Sequence, residues 1–255
     1  MSPAIEATAK SQLPWVKLAW FGALIVACYF PILVRLVNQW SNDEDMSHGF
    51  FVPVVAGFIV WRRREELAAT EARPSMWGLL LVGWGSIQLL LGYLATELFT
   101  ARTALVITLI GAVWTLGGPP FLMKLAFPLG LLFLMVPIPG VIYNQITFPL
   151  QILASKAASA ILPMFGVPVL REGNVIVLPM MRLEVAEACS GIRSLISLFT
   201  LAIFYGYFLD KSVVRRTLLA LSSIPIAIGA NAIRIVGTGL CVQYWDPDKA
   251  VGFFH

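Results

Sequence analysis

Apolar residues run in long blocks along this chain, separated by brief polar punctuation. A membrane-spanning helix needs about 20 mostly apolar residues, with about 17–25 tolerated. On that measure the blocks predict spans over about 15–37, 49–61, 76–95, 103–116, 121–136, 192–209 and 217–239. The second is short at its core and is lengthened by its flanks. The punctuation is informative. A polar loop, 38–47, carries Asp43, Glu44 and Asp45, and Arg62-Arg63-Arg64 stops the second block. Gly117-Gly118-Pro119-Pro120 makes a tight turn between the fourth and fifth blocks. Pro137 and Pro139 end the fifth, because proline cannot continue a helix from its interior.

The pattern changes between 140 and 188. Residues 142–165 are apolar but dotted with Asn144, Gln145, Gln151 and Lys156, which predicts an amphipathic or re-entrant helix at the membrane interface. Residues 167–185 read as short strands: β-branched side chains, Gly173-Asn174 as a turn, and alternation across Val175, Val177, Leu183 and Val185. The fold class is therefore an all-α polytopic membrane protein of about seven visible transmembrane helices. It carries a small β-containing segment outside the cytoplasm, about 137–190, in one integral membrane domain over 1–255.

Composition narrows the picture. Apolar residues make up 58% without glycine, and the 20 glycines bring this to about 66%, against roughly 45–50% in soluble domains counted with glycine. Charged residues are 13%, about half the usual share. Intrinsic disorder is excluded by the same numbers. The net charge of +4 is no sign of nucleic-acid binding, since its meaning lies in where the cations fall. With the N-terminus cytoplasmic, Lys10, Lys17, Arg62, Arg63, Arg64, Arg73, Lys124, Lys211, Arg215 and Arg216 lie in cytoplasmic segments beside span ends, as the positive-inside rule requires. The acidic loop, residues 137–190 and the C-terminal segment 240–255 then lie outside.

Three cysteines, Cys28, Cys189 and Cys241, form no metal spacing, and the acidic loop has no ligand pattern, so no metal and no cofactor are implied. Cys28 and Cys241 read as structural. Cys189 stands at the start of the sixth span in Glu187-Ala188-Cys189-Ser190-Gly191-Ile192-Arg193-Ser194. One reading is a small buried residue. The other is a reactive thiolate, favoured by the partial positive charge of a helix N-terminus and by Ser190 and Arg193 nearby. Arg234 lies inside the last apolar block, where an arginine costs at least about 2.5–3.5 kcal/mol at mid-span and normally faces a partner or a wet cavity. Snorkelling to the interface competes with that reading. Asn231, three residues earlier on the same helical face, favours a polar stripe and a site. His255 and His48 are the two histidines, and both fall on the outer side. His48 is either interfacial or a supporting residue. A thiol, a guanidinium and an imidazole on one membrane face suit cysteine-peptidase chemistry, with the arginine always protonated and so never a base.

Those residues carry a resemblance. The stretch 171–194, the run Asn231-Ala232-Ile233-Arg234-Ile235 with a later histidine, and Ser47-His48-Gly49-Phe50 followed by Trp61-Arg62-Arg63-Arg64 resemble the exosortase/archaeosortase family of membrane cysteine transpeptidases. The resemblance implies that Cys189 is the nucleophile forming an acyl-thioester, with Arg234 and His255 completing the catalytic set. Ser190, Arg193, Asn231 and His48 would support it. It also implies substrate proteins ending in a Pro-Glu-Pro motif, a transmembrane helix and a basic tail. The setting would be the bacterial inner membrane, with the active site at the periplasmic face, and a link to extracellular polysaccharide. The acyl acceptor is then water, an amine, a lipid or a glycan. In the family the histidine is followed by another span, so an eighth helix is expected beyond His255, and without it the histidine would be poorly held. A transporter or an assembly component of polysaccharide export, with no peptidase activity, is the alternative.

Overall fold

The computed structural model describes residues 15–185 and 191–245. Eight α-helices carry nearly all of it: α1 (Trp15–Asn42), α2 (Phe51–Arg62), α3 (Arg64–Ala68), α4 (Trp77–Leu94), α5 (Leu98–Leu131), α6 (Gly140–Ile161), α7 (Ile192–Leu209) and α8 (Val213–Tyr244). Three short strands, β1 (Leu170–Glu172), β2 (Val175–Val177) and β3 (Arg182–Glu184), form one antiparallel sheet in chain order. Five helical segments among the described residues are long and apolar enough to cross a membrane. Their outward faces carry large apolar side chains such as Trp20, Phe30, Phe148 and Leu201, as lipid contact requires. This is a multi-pass membrane protein. The chain divides after Pro137 into two compact units.

In the first unit, α4 and α5 pack along a stripe of glycines. Gly78, Gly85 and Gly92 recur every seven residues and are all buried. A Cβ on Gly85 would overlap Thr108 Oγ1, one on Gly92 would lie 2.7 Å from Ala101 N, and one on Gly78 would overlap Thr115. Backbones this close leave no room for any side chain, which is how membrane helices gain packing without a hydrophobic drive between them. Tyr29 of α1 joins the seam, its hydroxyl 2.7 Å from Thr108 Oγ1.

The expected turn at 117–120 is a break inside α5. Gly118 leaves helical space at φ 75 and ψ −171, and a Cβ there would overlap Arg73 O. The first limb of α5 ends beside the loop after α3, where Ser75 N donates to Thr115 O and Arg73 N to Gly117 O, both at 3.1 Å. The second limb starts at that same end. Lys124 Nζ donates to Thr70 Oγ1 at 2.8 Å, and its carbonyl accepts from Arg63. The limb then runs to Leu134 and Met135, whose carbonyls meet His48 and Trp40 of the acidic-loop end. The two expected spans are thus two helical limbs that meet at Gly118, with the turn where the sequence predicts it. The expected span at 49–61 is a helix of 12 residues, α2, preceded by a 3-10 turn over Glu44–Phe50. Cys28, expected to pack internally, faces outward from α1.

In the second unit, the C-terminal half of α6, the sheet and the last third of α8 share one core of Ala154, Ala158, Leu162, Val167, Ile176, Val185, Ile235 and Val242. The Gly173-Asn174 turn forms as expected, with Glu172 paired to Val175 across it and Gly173 at φ 66. The strand phase differs from expectation. Ile176 is the buried residue of β2, while Val175 and Val177 are half-buried. A run of three β-branched residues cannot select a face by itself; the pairing with β1 and β3 and the core beneath it do so. Helix α6, read from the sequence as interfacial, is with its 3-10 extension to Phe165 long and apolar enough to count among the five candidate spans. The turn between α7 and α8 is tied by Asp210, whose carboxylate pairs with Arg215 and accepts from Ser212 N, and whose carbonyl accepts from Arg216.

Candidate active site

Helix α8 is 32 residues long, about 48 Å at 1.5 Å per residue, well beyond the roughly 30 Å of bilayer hydrocarbon. Arg234 stands 21 residues after Val213, about 32 Å from the end that carries Lys211, Arg215 and Arg216. With those cations in one headgroup layer, Arg234 lies near the other, which lowers the cost of an arginine in this helix. From the sequence it stood one turn from the end of its span. The helix continues ten residues past it to Tyr244, so Arg234 is nearly three turns from the end.

One face of α8 is polar and turned inward. Ser223, Asn231 and Thr238 are buried, and Arg234, half-buried, falls within the same arc at helical spacing. Ile233, on the opposite face, is 74% exposed. Thr238 Oγ1 donates to Arg234 O at 2.9 Å. The polar stripe expected from Asn231 and Arg234 is therefore present and longer than those two residues.

Gly191 meets that stripe. It caps the N-terminus of α7 with a left-handed φ of 77, and a Cβ on it would sit 2.8 Å from both Cβ and Cγ of Asn231. Only glycine accepts both the dihedral and the contact. The start of α7 is thereby pressed onto α8 at Asn231, one turn from Arg234. Arg193, half-buried, is the second residue of α7. Cys189, Ser190 and His255 lie outside the described residues.

His48 belongs to the other unit. Its ring nitrogens lie 3.2 Å from Asp45 O and 3.3 Å from Leu134 O, joining the 3-10 turn before α2 to the end of α5. Its neighbours in the Ser-His-Gly-Phe motif pack on Trp40: a Cβ on Gly49 would overlap the indole, and the Phe50 ring meets it edge-on at 5.2 Å. Burial pushes the His48 imidazole below its ordinary value, outweighing the two carbonyls and the Asp43 charge. The folded protein then binds fewer protons at His48 than the unfolded chain does below about pH 6.5. Its contribution to stability is full above that pH and is lost as pH falls through the lowered folded value. Purified protein is expected to melt lower at pH 5.0 than at pH 7.5, and His48→Gln to flatten that difference. Glu97 and Asp210 do not confuse the window. Hydrogen bonds from Thr100 and Phe99 outweigh burial at Glu97, and the Ser212 backbone and Arg215 act on Asp210, so both carboxyls are held below their usual range. An unchanged pH dependence in His48→Gln would refute this assignment.

Residues 40–255 match the family model for transmembrane exosortases (Exosortase_EpsH). The chain belongs to the exosortase family. No curated protein and no solved structure matches it. The family match covers the start of α7 and the polar face of α8, as well as the His48 motif. Within this exosortase, the described site residues brought together are Gly191 and Asn231, with Arg234 one turn on. Two contributors were not marked in the sequence. Gly191 stood only as one member of the cysteine block, and Thr238 not at all, although its four-residue spacing from Arg234 was readable.

Proposed function

We propose that this exosortase is a membrane cysteine transpeptidase in which Cys189 is the nucleophile, Arg234 the fixed cation and His255 the proton carrier. The observation that supports it best is the seating of Gly191 on Asn231. Cys189 precedes Gly191 by two residues, and an extended chain spans at most about 3.6 Å per residue, so covalent geometry keeps the two α-carbons within about 7 Å. Asn231 and Arg234 share one face of α8. That seating supports a shared site for the thiol block and the arginine motif, which lie forty residues apart in the chain.

The chemistry follows from these groups. The Cys189 thiolate, favoured by the positive end of α7, attacks a substrate carbonyl carbon and forms an S–C bond. Negative charge moves to the carbonyl oxygen, where Arg234, always protonated, can meet it. The C–N bond then breaks, and the leaving amine takes a proton from His255. The resulting thioester is attacked by an acceptor O–H or N–H that yields its proton to His255, and the thiolate leaves. The substrate is read as an exported protein with a C-terminal Pro-Glu-Pro motif, helix and basic tail. Its tail stays cytoplasmic by the same charge rule that places Arg62–Arg64 there, and the bond cut lies at the periplasmic face of the inner membrane.

A tagged reporter with that C-terminal signal, co-expressed in membranes with the native chain, is expected to lose its C-terminal segment. With Cys189→Ala it stays full-length. Equal processing by both, or none by either at good expression of both proteins, would discard the peptidase reading and favour a transport or assembly role.

A further inference from the structure

The small sheet of the second unit has an open edge that leads straight into the thiol block. Val185 N donates to Asn174 O at 3.0 Å, and Leu178 N to Met181 O at 2.9 Å. Between those two bonds the register pairs Val175 with Glu184, Ile176 with Leu183 and Val177 with Arg182. Bonded and non-bonded pairs alternate in an antiparallel ladder, so Ile176–Leu183 is bonded and its two neighbours are not. The backbone N–H and C=O of Arg182 and of Glu184 therefore point away from β2, where no further strand lies among the described residues. Those groups make no hydrogen bond to any described residue, and both side chains are exposed. Asn174 Nδ2 also donates to Val185 O at 3.4 Å, which holds this edge in register. On the opposite edge the bonded pairs of β1 leave Arg171 alone facing outward.

An edge strand with unmet backbone groups is a template for another extended segment. Its place here is specific. The sheet shares its core with Ile235 and Val242 of α8, beyond Arg234 and at the opposite end from Arg215 and Arg216. Glu184 precedes Cys189 by five residues, so their α-carbons lie within about 18 Å. A strand rises about 3.4 Å per residue, and about five residues beyond the pairing suffice to reach the thiol.

We propose that the stretch of substrate beside the bond cut binds as an antiparallel fourth strand along β3, with an acidic side chain opposite Arg182. This rests on the transpeptidase reading given above. In such a strand only alternate residues turn their N–H toward β3. The residues between face outward, where proline, which has no N–H, is tolerated. A Pro-Glu-Pro motif fits that alternation, with its glutamate bonded across from Arg182 and both prolines on the open side. Opposite charges directly across a strand pair attract, so Arg182 selects for the glutamate.

Binding and cleavage are read separately, in membranes of cells that co-express the C-terminal reporter. For binding, the motif glutamate of the reporter is replaced by cysteine, and the protein carries Cys189→Ala with Arg182→Cys. A disulfide-linked product is expected under mild oxidation, since directly opposed residues of a bonded pair lie about 5.5 Å apart. Cys189→Ala with Glu172→Cys, exposed but two strands and about 10 Å farther off, should give none. Nor should Cys189→Ala alone, which keeps Cys28 and Cys241. For cleavage, Arg182→Glu in the native-thiol chain is expected to slow processing about fivefold, and a reporter with lysine for the motif glutamate to restore most of it. Cross-linking from position 182 without any cleavage by the native chain would keep the docking strand and remove the peptidase reading. Cross-linking equal from 182 and 172, or absent from both, would overturn the docking strand whatever the cleavage result. Slowing by Arg182→Glu that the lysine reporter does not relieve would overturn the charge pairing.

Discussion

Gly191→Ala is expected to reduce cleavage of the C-terminal reporter by about 10²-fold while the protein still accumulates in membranes. Two costs combine. An alanine held at φ 77 costs about 1–2 kcal/mol in left-handed space. Its Cβ also falls 2.8 Å from two atoms of Asn231, a buried side chain with little freedom to retreat. The start of α7 must lift from α8 at Asn231, which would disturb the proposed meeting of Cys189 with Arg234. A displacement of about 1 Å at a reacting group suffices for a loss of that size. Gly173→Ala provides the comparison. Gly173 has a similar φ of 66, yet nothing lies within 4 Å of the added Cβ. It carries the dihedral cost without the contact, and near-native cleavage is expected. Equal behaviour of the two variants would show that the contact with Asn231 is irrelevant to activity.

Gly85→Leu should prevent stable folding of the first unit, read as loss of protein from the membrane fraction or of a melting transition after purification. Overpacking a tight interior costs about 1–3 kcal/mol for small intrusions, and here even a methyl group overlaps Thr108 Oγ1, with Ala104 O and Thr108 N each 3.2 Å away. The change would part α4 from α5 along their seam and pull Thr108 from Tyr29. Gly83 lies on the same helix with nothing within 4 Å of a Cβ, so Gly83→Leu should accumulate normally. Loss of both variants would mean that any bulky residue in α4 is harmful and that the stripe has no special role.

These two glycines show where a sequence stops speaking. The seven-residue recurrence of Gly78, Gly85 and Gly92 is visible in the string, but it does not say which helix lies against it. Partner choice depends on the antiparallel fold-back of α5 onto α4. The strand phase at Val175-Ile176-Val177 escaped for a related reason, since three β-branched residues in a row fit either face.

By itself the sequence determined the membrane setting, the positions of most helices, the break at Gly118, the hairpin at Gly173-Asn174 and the polar face of α8. Each follows from local composition: long apolar runs demand lipid, a Gly-Gly-Pro-Pro run cannot stay helical, and three-residue helical spacing sets Asn231 and Arg234 on one side. The tertiary structure alone decided that α4 and α5 close on the glycine stripe, that α8 extends about 15 Å past Arg234, and that Gly191 rests on Asn231. Those outcomes depend on close packing between segments distant in the chain, and steric exclusion at less than 3 Å has no signature in hydropathy.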